Sequence, residues 1–78
     1  MKILITGAAG FIGSEMIEFL LNFIKKKNNL IAIDDLSRGD INKLSKFKKN
    51  ILFIKKDVKK INKLKLKNVD WIIHASAI

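Results

Sequence analysis

The chain has no cysteine, no proline and no tyrosine, and it has one histidine, one tryptophan and one arginine. Without cysteine no disulfide can staple the fold, and zinc sites built on thiolates are excluded. His74 and a few scattered carboxylates make a poor ligand set, so no metal site is expected. These absences matter at 78 residues, a length below the usual domain of roughly 100–150. A chain near this size buries only about 60% of the surface its unfolded form exposes. It is therefore either compact and complete or part of something larger. Long apolar runs are also missing. Phe19-Leu20-Leu21 is soon cut by polar residues, far short of the ~20 needed to span a membrane. Ile3-Leu4-Ile5 is too short for the core of a signal peptide. The expectation is a cytoplasmic protein with no membrane partner.

Lysine is what the chain has in excess. Sixteen basic residues stand against seven acidic ones, for a net charge of +9, and all but Arg38 are lysine. They cluster at Lys25-Lys26-Lys27, Lys48-Lys49, Lys55-Lys56 and Lys59-Lys60. Nucleic-acid binders rely on arginine and on aromatics interleaved with the charge. Neither accompanies these clusters, so they read as solvated surface and no nucleic-acid partner is expected.

Lys2 to Thr6 is apolar on both faces, as in a parallel strand buried between helix layers. From Phe11 to Lys27 the spacing is helical. Ile12, Met16, Leu20 and Ile24 fall four apart, with Phe19 and Phe23 alongside. Glu15 and Glu18 suit the positive start of such a helix and the lysines at 25–27 its negative end; Asn28-Asn29 supplies the turn. Leu30 to Ile33, closed by Asp34-Asp35, predicts a second strand, and Ile51 to Ile54 a third. Ile41 to Phe47 predicts a short helix with Leu44 and Phe47 inward. Ile61, Leu64 and Leu66 suggest a weak helical turn. Val69 to Ala75 predicts a fourth strand, with Asp70 opening it in solvent and Trp71 packing. Strands alternating with helices imply an α/β fold with parallel pairing. Right-handed crossovers then give a partial Rossmann fold of about four strands in the order 3-2-1-4. No repeat or linker divides residues 1–78.

Thr6-Gly7-Ala8-Ala9-Gly10-Phe11-Ile12-Gly13 joins the first strand to the first helix with glycines three apart. The spacing is a variant of the dinucleotide-binding fingerprint. Gly7 permits a sharp turn, Gly10 leaves room for a pyrophosphate, and Gly13 lets the helix approach the sheet. The helix start offers amides and a positive dipole end to phosphate. Asp34 ends the next strand 21 positions after Gly13, where a carboxylate accepts from the adenosine ribose hydroxyls. It favours NAD over NADP, whose 2′-phosphate it would repel. Arg38 is the counter-argument, since an arginine after this strand can receive that phosphate.

Four segments resemble the extended short-chain dehydrogenase/reductase superfamily, specifically its NAD-dependent nucleotide-sugar epimerase/dehydratase group. They are Thr6 to Ser14 (T-G-x-x-G-F-I-G-S), Asp34 to Gly39 (D-[ND]-L-S-x-G), Asp57-Val58 (D-[IV]), and Val69 to Ala77 (V-D-x-[VI]-[IFV]-H-x-A-[AS]). The resemblance covers the whole chain. It implies that Phe11 and Ile12 line the pyrophosphate turn. Asp35, Ser37 and Arg38 would border the adenosine ribose, Asp57 would bond the adenine amino group, and Val58 would pack on the ring. Ala75, Ser76 and Ala77 would lie against the nicotinamide-side ribose and phosphate. It also implies a nucleotide-sugar substrate and a homodimer for the full-length enzyme. The family acts through a Ser or Thr and a Tyr-x-x-x-Lys beyond the fourth strand. With no tyrosine, this chain is expected to be the N-terminal part of the NAD(P)-binding domain. It would lack the substrate domain and catalytic residues and be inactive alone. Glu15 and Asn28 are minor departures from the pattern.

His74 sits inside a strand without a paired acid or nucleophile and reads as structural; Ser76 has no base near it in sequence. Three functions compete. The first is the NAD-binding part of a nucleotide-sugar epimerase or dehydratase. The second is a stand-alone, non-catalytic nucleotide-binding module, which the apolar edge of a final fourth strand argues against. The third is a basic nucleic-acid binder, whose affinity would fall steeply with salt.

Overall fold

A computed structural model describes residues 1–57 and 68–75. The chain runs β1 (Ile3–Thr6), α1 (Phe11–Leu20), a 3₁₀ turn (Lys27–Asn29), β2 (Leu30–Asp34), a 3₁₀ helix (Ile41–Phe47), β3 (Leu52–Lys55) and β4 (Trp71–His74). The strands form one parallel sheet in the order β3-β2-β1-β4, as the alternation of elements predicts. Register places Thr6 beside Ile33 on one flank and His74 on the other, so the C-terminal ends of three strands are level.

Every residue of β1 and β2 is buried, which is why these strands read as unbroken apolar runs. On one face Ile3, Ile5, Leu30 and Ala32 pack with Ile17 and Ile24, together with Leu44, Phe47 and Ile51. On the other, Leu4, Ile31 and Ile33 form a second cluster against Leu52, Ile54 and Val69. Leu44 and Phe47 point inward as expected, on a 3₁₀ helix capped by Asp40, whose side chain accepts from the Asn42 amide at 2.9 Å.

The helix differs from its sequence reading in length and at the first residue of its inner stripe. It ends at Leu20, not Lys27. The Asn22 and Phe23 amides tighten onto Phe19 and Leu20, three residues back, and the Asn22 side chain donates to the Phe19 carbonyl at 3.0 Å. The lysines at 25–27 therefore lie past the last turn, although Lys25 reaches back to the Leu21 carbonyl at 3.2 Å. At the other end no acid stands in the first turn; Glu15 is one residue too deep, and Glu18 meets Lys46 in an exposed pair at 3.5 Å that contributes little. Gly13 and Ile17 are its fully buried residues, and Met16, Leu20 and Ile24 of the predicted stripe also pack on the core. Ile12 of that stripe is exposed, as are Phe19 and Phe23, whose phenyl rings lie 5.3 Å apart.

Trp71 corrects a second expectation: it is 61% exposed rather than packed. Among the described residues β4 has a strand neighbour on one side only, so its side chains are half-covered. Asp70 is in solvent as predicted, yet it also fastens the strand: its carboxylate accepts from the Lys2 amide at 2.8 Å. The turn read at Ile61, Leu64 and Leu66 lies outside the described residues. No described helix is long and apolar enough to cross a membrane.

Candidate functional site

β1 ends at Thr6, and Gly7 turns the chain with φ of 68°, a left-handed conformation that glycine adopts without strain. The Gly10 amide closes the turn on the Gly7 carbonyl at 3.1 Å. A Cβ on Gly13 would strike the Gly7 carbonyl oxygen and come within 2.8 Å of the Ala8 Cα. Both obstacles are backbone, so only glycine lets α1 start this close to the sheet. Gly10 caps the helix without any side-chain bond, and the first intrahelical bond runs from the Ser14 amide to the Gly10 carbonyl. The amides of Phe11, Ile12 and Gly13 thus have no acceptor within the helix.

Asp34 meets this loop directly. One carboxylate oxygen, Oδ2, accepts from the Ala9 amide at 2.8 Å, and the other, Oδ1, accepts from the Leu36 amide at 2.8 Å. The residue is only 8% exposed. The Ala9 peptide is held from its other side as well, since its carbonyl accepts from the Asp40 amide at 3.0 Å. The segment after β2 therefore doubles back onto the glycine loop. It does so through Leu36, whose φ of 65° is unusual for a leucine and costs on the order of 1 kcal/mol. Two carboxylates, Asp34 and Asp35, organise the reversal. Asp35 accepts from the Ser37 amide at 2.9 Å and from the Ser37 hydroxyl at 2.8 Å. Those bonds, the amide first and the hydroxyl second, hold the Asp35 carboxyl below its usual range.

The structure brings Gly7, Gly10, Phe11, Ile12, Gly13 and Asp34 together at the C-terminal ends of β1 and β2. Asp35, Ser37 and Arg38 lie on the exposed turn beyond. Asp57 follows β3 and is half-buried; the preceding Lys56 amide donates to the Asp34 carbonyl at 3.1 Å, which draws this segment beside β2. Ala75 follows β4 with its amide on the Thr6 carbonyl at 3.0 Å. Val58, Ser76 and Ala77 lie outside the described residues. All the placed positions thus surround the strand ends where β1 separates β2 from β4. In open α/β sheets this is where ligands bind.

His74 has a partner the sequence did not suggest: its Nδ1 lies 3.0 Å from the buried Thr6 hydroxyl, across the β1–β4 pair. No group of metal-ligating side chains forms among the described residues. Sequence reasoning gave Gly39 only as the end of the D-[ND]-L-S-x-G segment, with no role, and assigned none to Asp40 or Lys43. A glycine and an acid in a polar loop look ordinary. The one local signal was Asp40 just before a helix, the usual place of a capping residue. Lys43 places its ammonium 5.6 Å from the centre of the Phe11 ring, at the mouth of an open groove of about 390 Å³ between α1 and the 3₁₀ helix. That groove shares only Phe11 with the predicted site residues, and Glu15, Glu18, Lys43 and Lys46 on its walls balance in charge.

Known proteins share this fold. Residues 4–78 match the model of the 3-beta hydroxysteroid dehydrogenase/isomerase family. The uncharacterized UDP-glucose epimerase YtcB of Bacillus subtilis (strain 168) is 43% identical over 86 aligned positions, which take in 100% of this chain and 27% of that protein. The dTDP-glucose 4,6-dehydratase of Bacillus anthracis, solved in complex with NAD, superposes with a TM-score of 0.84 at 29% identity, over 100% of this chain and 27% of that one. The UDP-glucuronic acid 4-epimerase of Bacillus cereus, also in complex with NAD, gives 0.81 at 32% identity with coverage of 100% and 27%. The chain therefore spans about a quarter of the length of these relatives, corresponding to their N-terminal part. It belongs to the 3-beta hydroxysteroid dehydrogenase/isomerase family, on the branch of the extended short-chain dehydrogenase/reductases that holds the nucleotide-sugar epimerases and dehydratases.

Proposed function

We propose that this chain binds NAD, and that it is the NAD-binding portion of an enzyme that epimerises or dehydrates a nucleotide sugar. In this reading residues 1–78 are the first part of a Rossmann domain, and the substrate domain lies outside them. The reading rests on one contact above all, the 2.8 Å bond between Ala9 and Asp34. It sets a carboxylate, the acceptor a ribose diol requires, against a loop whose helix-start amides suit a diphosphate. The amides of Phe11, Ile12 and Gly13 would bind the pyrophosphate, with Gly7 and Gly10 leaving it room. Asp34 would take the ribose hydroxyls, with Asp35, Ser37 and Arg38 at its border. Asp57 and Val58 would hold adenine, and Ala75, Ser76 and Ala77 the second ribose and its phosphate. NAD is preferred to NADP because the Asp34 carboxylate repels a 2′-phosphate.

Bound NAD would supply the hydride chemistry, and the residues named here would fix and orient it. The chain holds no tyrosine, and in this reading it is catalytically silent by itself. The nucleotide sugar and a homodimeric assembly belong to the full-length enzyme. Calorimetric titration of the chain with NAD, NADP and duplex DNA tests the proposal. Saturable binding of NAD, weaker binding of NADP and none of DNA is the expected pattern. No saturable NAD binding would overturn it. Turnover of UDP-glucose by the chain alone would overturn the clause on silence.

A further inference from the structure

We propose that Gly39 is a specificity-determining residue for the nucleotide, a role that rests on the NAD reading above and extends it beyond Asp34. Gly7 is the glycine whose backbone is left-handed; no such conformation explains the glycine at 39. What explains it is space. A Cβ at position 39 would lie 2.7 Å from Oδ2 of Asp34, 3.1 Å from its carboxyl carbon and 2.8 Å from the Ala9 Cβ. Oδ2 is the oxygen that holds the Ala9 amide. Gly39 is thus the floor against which the carboxylate rests, and the next residue, Asp40, ties that floor to the loop through the Ala9 carbonyl.

A carboxylate discriminates a free ribose hydroxyl from a phosphorylated one only while its oxygens are held in place. A side chain at 39 pushes the Asp34 carboxylate off Ala9 and out of register with the ribose. Hydroxyl recognition weakens, and so does repulsion of a 2′-phosphate. Substitution at 39 therefore changes the preference for NAD over NADP, whereas simple loss of stability would weaken both nucleotides together.

The test uses the ¹⁵N-labelled chain, its Gly39→Ala and Asp34→Ser variants and the double variant, with far-UV circular dichroism to establish folding. In Gly39→Ala the amide resonances of Ala9 and Leu36 shift together. NAD affinity falls about tenfold, the scale of one hydrogen bond to a charged group, and NADP affinity falls less. In the Asp34→Ser background the same glycine substitution leaves the ratio unchanged, because the two positions act through one carboxylate. If Gly39→Ala does not fold, Ala9→Gly is added to it, which removes the Cβ that the new methyl meets at 2.8 Å and leaves only its contact with the carboxylate. Unmoved amides at positions 9 and 36, equal losses for both nucleotides, additive effects, or failure of the Ala9→Gly/Gly39→Ala variant to fold would each overturn the proposal. Failure of the unsubstituted chain to bind NAD would instead overturn the reading beneath it, and the amide shifts would still report whether Gly39 supports the carboxylate.

Discussion

Asp34 joins two segments that are distant in sequence: its carboxylate accepts from the Ala9 amide of the glycine loop and the Leu36 amide of the following turn, each at 2.8 Å. Asp34→Ala leaves both donors without their acceptor in a nearly closed space. The expected loss is roughly 3 kcal/mol, as for removal of hydrogen bonds to a charged group, read as a lower midpoint in urea. Asp34→Asn keeps one carbonyl acceptor and loses less. A change below about 0.5 kcal/mol, typical of an ordinary surface substitution, would show that the bonds are not formed in solution.

Gly13→Ala is expected to be costly although alanine is the better helix former. The added methyl meets the Gly7 carbonyl and the Ala8 Cα, at 2.8 Å from the latter, and neither can swing aside. Overpacking of this kind costs about 1–3 kcal/mol, well above the roughly 1 kcal/mol that alanine gains over glycine in a helix. Thermal unfolding of the variant gives the sign. A raised midpoint would mean that α1 has room to slide.

The central strands and their order were legible because β1 and β2 are apolar on both faces, and only a strand between two layers has that pattern. Leu44 and Phe47 were legible by their spacing. The inner face of α1 was legible in part: Met16, Leu20 and Ile24 pack on the core as their spacing predicts, whereas Ile12 is exposed. The fully buried residues at the helix start and middle are Gly13 and Ile17, and a glycine is silent in a hydropathy pattern. Trp71 was misread because alternation along a strand does not say whether the strand lies at an edge. The glycine motif and Asp34 stood out as two local signals at a meaningful spacing. Gly39 did not, since its requirement comes from side chains on other segments, Asp34 and Ala9.

Asp35 carries a pH dependence that can be assigned to Ser37. Its carboxyl is held below 3.8 first by the Ser37 amide and then by the Ser37 hydroxyl; desolvation acts the other way, and smaller contributions from its own amide and the charge of Lys55 lower it further. A pKa depressed in the folded state stabilises the turn above the unfolded value and is lost as pH falls through the folded one. The window is therefore below about 3.8. Ser37→Ala removes the hydroxyl and leaves the amide, so the Asp35 pKa should rise part of the way back. An NMR titration of the Asp35 carboxyl carbon follows it directly, and an unchanged value would place the hydroxyl bond outside the solution structure.

Trp71 is 61% exposed and Ile72 51% exposed on a strand that, among the described residues, has one open edge. Unpaired backbone beside large apolar side chains favours edge-to-edge association. Trp71→Lys places a charge at that edge while removing little packing. Its expected effect is a shift toward monomer at high protein concentration, with stability changed by no more than about 0.5 kcal/mol. Sedimentation velocity and urea unfolding separate the two quantities. A loss of several kcal/mol would mean that the indole is packed in solution. If the chain associates and the variant associates equally, the contact lies elsewhere, and the exposed Phe19 and Phe23 pair at the end of α1 and the turn after it becomes the next position to charge.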